Sequence, residues 1–163
     1  MSTIPATAKI YVLDTNILLH DALSLTKFQE NTVVLPSEVL VEMDRKKTAD
    51  GQVGVNARKV HRMLRDIFDP YELSESDHGR DILEAEMPNG GRLRFVITNP
   101  KNFEKEDIEL LDAVLIDRSQ SDHRILAAAY YLTKTEEHPV ILVTKDSNMA
   151  IKGKLLGLQV EDY

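Results

Sequence analysis

Four acidic residues, widely separated along the chain, stand where an α/β protein tends to place its chemistry: Asp14, Glu42, Asp122 and Asp146. Asp14 closes the apolar run KIYVLD, and Asp146 follows another in LVTKD. Glu42 lies in VLVEMD, behind a further apolar run, and Asp122 opens the segment SDHRILAAA. Carboxylate oxygens are the hard ligands that Mg²⁺ and Mn²⁺ favour. Two such charges about 4 Å apart repel by roughly 4 kcal/mol at an effective dielectric of 20. A convergent set is therefore costly until protons or cations neutralise it. With one or two divalent ions in place, such a set activates a water and stabilises the leaving oxygen of an in-line phosphodiester attack. Each acid also has a plainer reading. Asp122 and Asp146 each precede a helical segment and can cap it. Glu42 alone reads as a solvated helix position with Asp44 and Arg45 nearby. Asp14 is harder to dismiss, because an acid directly behind a buried strand needs a partner.

The elements that must position these acids follow from periodicity. Residues 9–14 and 32–35 read as short buried parallel strands, the second stopped by Pro36. Ser37 then reads as the N-cap of a helix carrying Val39, Leu40 and Met43. Two glycines and several polar residues suggest a loop over 48–55, followed from Asn56 by an amphipathic helix with Val60, Met63, Leu64, Ile67 and Phe68, ended by Pro70. Residues 82–87 and 93–97 flank Asn89-Gly90-Gly91 and read as a β-hairpin or a pair of edge strands, an insertion of about 70–100. Helices are expected over 107–116 and over 122–133, where Ile125, Leu126, Ala129 and Leu132 share a face. Residues 140–143 form the clearest strand, before a helix carrying Ile151 and Leu155, a stop at Gly157 and a short last strand at 158–160. This alternation implies an α/β fold with a central parallel sheet, which binds ligands beyond the carboxyl ends of its strands. Asp14 and Asp146 stand at such ends.

At these residues the chain resembles the PIN domain family. VLDTNILLH looks like the family's first motif, LPSEVLVEMDR its second, SDHRILAAA its third and LVTKDSN its fourth, in order over essentially the whole chain. DGQVGVNARK and KGKLLGLQVEDY are similar, more narrowly, to PIN domains fused upstream of PhoH-type ATPases. The resemblance implies a three-layer α/β/α fold over residues 1–163 and metal-dependent cleavage of single-stranded RNA, leaving 5′-phosphate and 3′-hydroxyl ends. It implies Asp14, Glu42, Asp122 and Asp146 as ligands of one or two Mg²⁺ or Mn²⁺ ions. Thr15 and Asn16 would hydrogen-bond within the pocket, and Thr144 would orient Asp146. Asn148 occupies a place where the family often has another polar or acidic residue, and its neutral amide weakens the case for a second ion. Pairing through helices into a homodimer is implied too. A P-loop of the form GxxxxGK[ST] is absent, since GKLLG lacks its spacing and hydroxyl. The chain therefore reads as a PIN domain cut from a longer protein, which would carry a C-terminal PhoH-type ATPase, or else as a stand-alone relative, the first being favoured.

Basic residues that would reach phosphates are Arg58, which matches the narrower pattern in NARK, and Lys46 and Lys145 beside the second and fourth motifs. Lys145 and Arg124 also stand close enough in sequence to motif acids to pair with them. The net charge of −7 argues against extended duplex binding. Two bound divalent ions would reduce it to about −3 and leave a small nuclease pocket open. Zero cysteines exclude disulfides and thiolate ligands, and the histidines show no zinc spacing. No apolar run spans a bilayer and the N-terminus does not read as a signal peptide, so a cytoplasmic protein without membrane contact is expected. Two other readings compete: a catalytically weak PIN module that binds RNA or regulates a fused ATPase, and a phosphotransferase built on Asp14. The second needs an acid two residues on, where Asn16 stands.

Overall fold

A computed structural model of the chain describes residues 8–68, 82–96, 103–117 and 120–163. Its centre is a six-stranded sheet in the order β3-β4-β2-β1-β5-β6. The strands are β1 (Ile10–Leu13), β2 (Thr32–Pro36), β3 (Ile82–Glu86), β4 (Arg92–Val96), β5 (Val140–Val143) and β6 (Gln159–Glu161). All neighbouring pairs are parallel except β3 with β4. The helices flanking the sheet are α1 (Thr15–His20), α2 (Ser37–Lys46), α3 (Gly51–Phe68), α4 (Lys105–Val114), α5 (Ser121–Thr135) and α6 (Ser147–Leu155). A 3₁₀ turn over Ala22–Thr26 follows α1.

The strands β1, β2 and β5 at the centre are largely continuous apolar runs because both of their faces are covered. Every residue of β2 and β5 is buried, and Val12 and Leu13 of β1 have no exposed surface. The register sets Leu13 of β1 beside Val143 of β5, and Val12 beside Val34 of β2. From β1 the chain steps outward to β2 and later β4, then returns to the other side of β1 for β5 and β6. The order therefore reverses between β1 and β5. In parallel sheets the crevice at such a reversal, beyond the strand ends, is where ligands bind. Asp14 and Thr144 are the first residues past those two ends.

Several expectations need correction. The hairpin forms, with Gly90 at φ +88° in its turn, a conformation glycine takes without strain. It is not a pair of edge strands, however: β4 is an inner strand, parallel to β2, and only β3 lies at the edge. A long-range pairing of that kind leaves no local signal. Residues 70–81 and 97–100 of the 70–100 insertion, Pro70 and Ile97 among them, lie outside the described residues, as do residues 1–7. Ser37 is the first helical residue of α2, and Pro36 takes the N-cap place without a side-chain bond. α4 begins two residues before the expected Asp107, whose carboxylate accepts the N–H of Glu104 at 3.2 Å. Ile151 and Leu155 lie on the exposed side of α6, while Met149 and Gly153 face inward.

The largest difference is at 48–55, where a loop is expected and α3 already starts at Gly51. Gly54 serves close approach here rather than a bend. A Cβ built on it would stand 1.8 Å from the carbonyl oxygen of Ala49. This glycine thus lets the first turn of α3 lie against the end of the α2–α3 connection. Asn56, buried one turn from there, donates its amide to the carbonyl of Leu19 at 2.6 Å and ties α3 to the end of α1. Gly54→Ala should therefore lower stability by about 1–3 kcal/mol, the usual cost of overpacking a tight contact. Urea denaturation of the two proteins would show it, and an unchanged midpoint would mean the contact is slack.

Candidate active site

Asp14 reaches its place because β1 ends at Leu13 and α1 begins at Thr15, so it lies at the junction of core and crevice. It is only 4 % exposed. Its backbone N–H donates to Val143 of β5 at 3.1 Å, which extends the parallel pairing by one step. The Thr144 hydroxyl, itself buried, donates to Asp14 Oδ2 at 3.1 Å and accepts the backbone N–H of Asp146 at 3.0 Å. One threonine thus binds the Asp14 carboxylate and the Asp146 backbone directly, and reaches the Asp146 carboxylate only through that backbone.

On the other side, Thr15 donates its hydroxyl to Glu42 Oε1 at 3.0 Å. That bond joins the start of α1 to the middle of α2, and it sets the second acid beside the first. Glu42 is half-buried rather than a fully solvated helix position. Asp122 is the second residue of α5, two past Gln120 at the capping position, and its Oδ1 accepts the N–H of His123 at 2.9 Å. The capping explanation therefore does not hold for Asp122. It does hold for Asp146, whose carboxylate accepts the N–H groups of Asn148 and Met149 at the start of α6. Capping leaves Asp146 Oδ2 without a backbone role, and the residue is exposed.

Electrostatics ties the four together. Burial, more than anything else, pushes the Asp14 carboxyl above the ordinary aspartate range, with the charge of Asp146 adding to the rise. The Thr144 hydroxyl and the N–H groups of Thr15 and Asn16 oppose it. Glu42 is raised in the same way, by burial first, against the Thr15 hydrogen bond, and then by the charges of Asp14 and Asp122, with Arg45 opposing. Asp14 thus feels Asp146, and Glu42 feels both Asp14 and Asp122. Among the described residues, no three acids or histidines already stand close enough to hold one ion together. The donor set is nevertheless all carboxylate and amide oxygen, which suits a hard ion. Mg²⁺ in particular keeps several waters and takes only one or two carboxylates from a protein.

The basic candidates separate into two groups. Lys46 and Lys145 line one open cleft of about 540 Å³ with Asn16, Leu19, His20, Gln52 and Val53. It lies next to the acids, since Asn16 follows Thr15 and Lys145 precedes Asp146. The Lys145 ammonium stands 5.7 Å from the ring centre of Tyr163, whose hydroxyl donates to Asp21 Oδ2 at 2.7 Å. Arg58 is not in this cleft: its Nη1 donates to the carbonyl of Lys47 at 2.6 Å. Arg124 binds Glu38 at 3.1 Å. His123 is buried, its Nδ1 on the Asp117 carbonyl and its Nε2 2.9 Å from Lys152 Nζ. Sequence reasoning missed Gln52 and Asn56 because it placed the first inside a loop and the second at a helix start. Their i, i+4 spacing, with Gln52 donating to Asn56 at 3.0 Å, would have signalled one continuous helix.

Comparison with known proteins fits this geometry. The sequence profile of the PIN domain matches residues 11–163. A protein named PhoH2 from Bacillus subtilis strain 168 is 37% identical over 161 residues, covering 96% of this chain and 33% of its own. Another protein named PhoH2, from Thermobispora bispora, is 34% identical over 163 residues, covering 99% of this chain and 33% of its own. The chain therefore spans about a third of the length of these relatives. Among solved structures, a domain of a functionally unknown protein from Methanocaldococcus jannaschii superposes with a TM-score of 0.51 at 16% identity, covering 96% of this chain and 91% of that one. That likeness bears on the fold alone.

The raised acids carry a sign that can be tested. A carboxyl whose folded pKa exceeds its unfolded value binds its proton more tightly in the folded state, so its ionisation costs stability. The cost is fully present above the raised pKa and vanishes as pH falls to the unfolded carboxylate range. Asp14→Asn in EDTA near neutral pH should therefore melt above the wild type by about 2–4 °C, the shift that ~1 kcal/mol gives a chain of this size. The difference should close near about pH 4, where the unfolded carboxyl titrates. Calorimetry across that range checks it. A lower melting temperature at neutral pH would make Asp14 a net stabilising acceptor instead.

Proposed function

This chain belongs to the PIN domain family, and from that premise we propose that it is a metal-dependent endoribonuclease acting on single-stranded RNA. The observation that carries the reading is Asp14: a buried acid at the sheet's reversal point, held by Thr144 and coupled in charge to Glu42 and Asp146. A protein has little reason to keep such a charge unless something compensates it. Bound Mg²⁺ or Mn²⁺ would neutralise the acids, help ionise the attacking water and stabilise the departing oxygen.

The chain's own residues do the rest. Asp14 is fixed in direction by the Thr144 hydroxyl, and Glu42 by the Thr15 hydroxyl. Both threonines therefore position ligands rather than touch substrate. Asp122 and Asp146 complete the proposed ligand set from the starts of α5 and α6. Any acid not spent on an ion accepts the proton of the attacking water. Lys46 and Lys145, with Asn16 between the acids and the cleft, hold the phosphates on either side of the scissile bond. Asn148 adds a neutral amide where a further acid would strengthen a second ion.

The length of the relatives favours a related proposal about context. With the chain spanning a third of proteins named PhoH2, we place it as the nuclease part of a larger protein that includes a PhoH-type ATPase. Residues 1–163 act as one PIN unit, whose expected site is cytoplasmic. Pairing into a homodimer belongs to the same proposal. No described helix is long and apolar enough to cross a membrane.

The decisive experiment follows a labelled single-stranded RNA incubated with wild type and Asp14→Asn in Mn²⁺, Mg²⁺ or EDTA. Cleavage in metal, lost in EDTA and in the variant, is the expected outcome. No cleavage by folded wild type in any metal would overturn it in favour of a binding or regulatory module. Thr144→Val tests the positioning role, since it keeps shape and removes the hydroxyl. Loss of a bond that orients a ligand costs about 10–100-fold in metal affinity or activity. The Mn²⁺ concentration for half-maximal cleavage should rise in Thr144→Val; an unchanged value would make the threonine merely structural.

A further inference from the structure

A second open cleft, of about 420 Å³, lies where α2 gives way to α3. It is lined by Lys47, Arg58, His61, Arg62 and Arg65, and by no acid. In a chain with 27 acidic against 20 basic residues, that grouping is not the surface average. Arg58, Arg62 and Arg65 stand at i, i+4 and i+7 of α3, one face of the helix. At a rise of 1.5 Å per residue they extend over about 10 Å. Lys47 carries an ion pair with Asp44 at 2.7 Å, but both side chains are largely exposed, so the pair is worth little and is readily exchanged. The Nε2 of His61 is buried without a hydrogen-bond partner.

This cleft is linked to the candidate active site by adjacent residues. Lys46 lines the cleft beside the acids, and Lys47 lines the arginine cleft. The turn between them and α3 is held still. Arg58 donates to the Lys47 carbonyl, one of the acceptors left over at the end of α2, and Gly54 packs against the Ala49 carbonyl. Arg58 is thus partly spent on structure, while Arg62 and Arg65 are exposed. Guanidinium groups in a row on a rigid helix suit phosphate oxygens, which they bind in forked pairs.

We propose that this arginine face of α3 is a track for the phosphate backbone of the same RNA strand, continuing from the acids across the α2–α3 turn. The inference rests on the reading of single-stranded RNA as substrate. The chain then grips RNA at a distance from the bond that is cut. Affinity rises with strand length, and the added part is electrostatic and indifferent to base.

The test measures binding of labelled oligoadenylates, a tetranucleotide and a twenty-nucleotide strand, by anisotropy in EDTA. Wild type is compared with Arg62→Ala/Arg65→Ala and with Lys105→Ala/Lys154→Ala, which removes the same charge from exposed positions elsewhere. The arginine variant should bind the long strand about 10-fold more weakly at moderate salt, with the slope of log K against log salt reduced by about 1.4, as two lost single-strand contacts require. Its affinity for the tetranucleotide should fall far less. Equal loss for both lengths, equal loss in the lysine variant, or no loss at all would each overturn the track. Cleavage of the same strands by wild type in Mn²⁺ is scored separately. Cutting without a track effect sinks this inference alone, and a track effect without cutting sinks the nuclease reading alone.

Discussion

An ionisable carboxyl buried at the end of the central strand is the constraint on which the rest of the structure depends. Asp14 cannot be withdrawn into solvent, because β1 is covered on both faces, paired on both edges up to Val12 and paired with β5 through Leu13. Nor can it be ignored, because burial makes its charge expensive. The protein meets part of that cost with the Thr144 hydroxyl and the first N–H groups of α1. It adds to the cost by bringing Asp146 within electrostatic reach of Asp14, and Glu42 within reach of Asp14 and Asp122.

The supporting shell is built from a few local choices. A threonine follows each of two strands, Thr15 one residue after Asp14 and Thr144 directly after β5, and each hydroxyl holds a carboxylate on another element. These bonds run across the sheet reversal and from α1 to α2, so the positions of Asp14 and Glu42 depend on β5 and α1 as much as on their own segments. Thr144 makes its contact only because Leu13 and Val143 are register partners. A shift of one residue would turn the hydroxyl to the other face of the sheet.

Around this acidic centre the cations are placed rather than scattered. The end of α2, locked by Arg58 and by the close approach at Gly54, divides two basic clefts, one beside the acids and one along α3. The negative net charge conceals this arrangement. It sums over the whole surface, whereas binding depends on the local field within roughly a Debye length, about 8 Å at physiological salt.

By itself the sequence determined the alternation of elements, the parallel character of the inner strands and the two strand-end positions of Asp14 and Asp146. These are local properties: apolar runs such as VILV read as buried strands, and the residue after one stands at the carboxyl end of the sheet. The four motifs also carried the family resemblance, because their order and spacing survive in the linear chain. Tertiary structure decided what local patterns cannot encode. It made β4 an inner strand, since pairing with β2 depends on residues some sixty positions away. It turned Gly54 from a loop former into a close helix contact, because only the neighbouring Ala49 carbonyl shows why no side chain fits there. It gave Arg58 a hydrogen bond to the Lys47 carbonyl, drew Asn56 inward, and assigned Thr144 to Asp14 across 130 residues. A hydrogen bond belongs to two positions in space, and the distance between them along the chain says nothing about it.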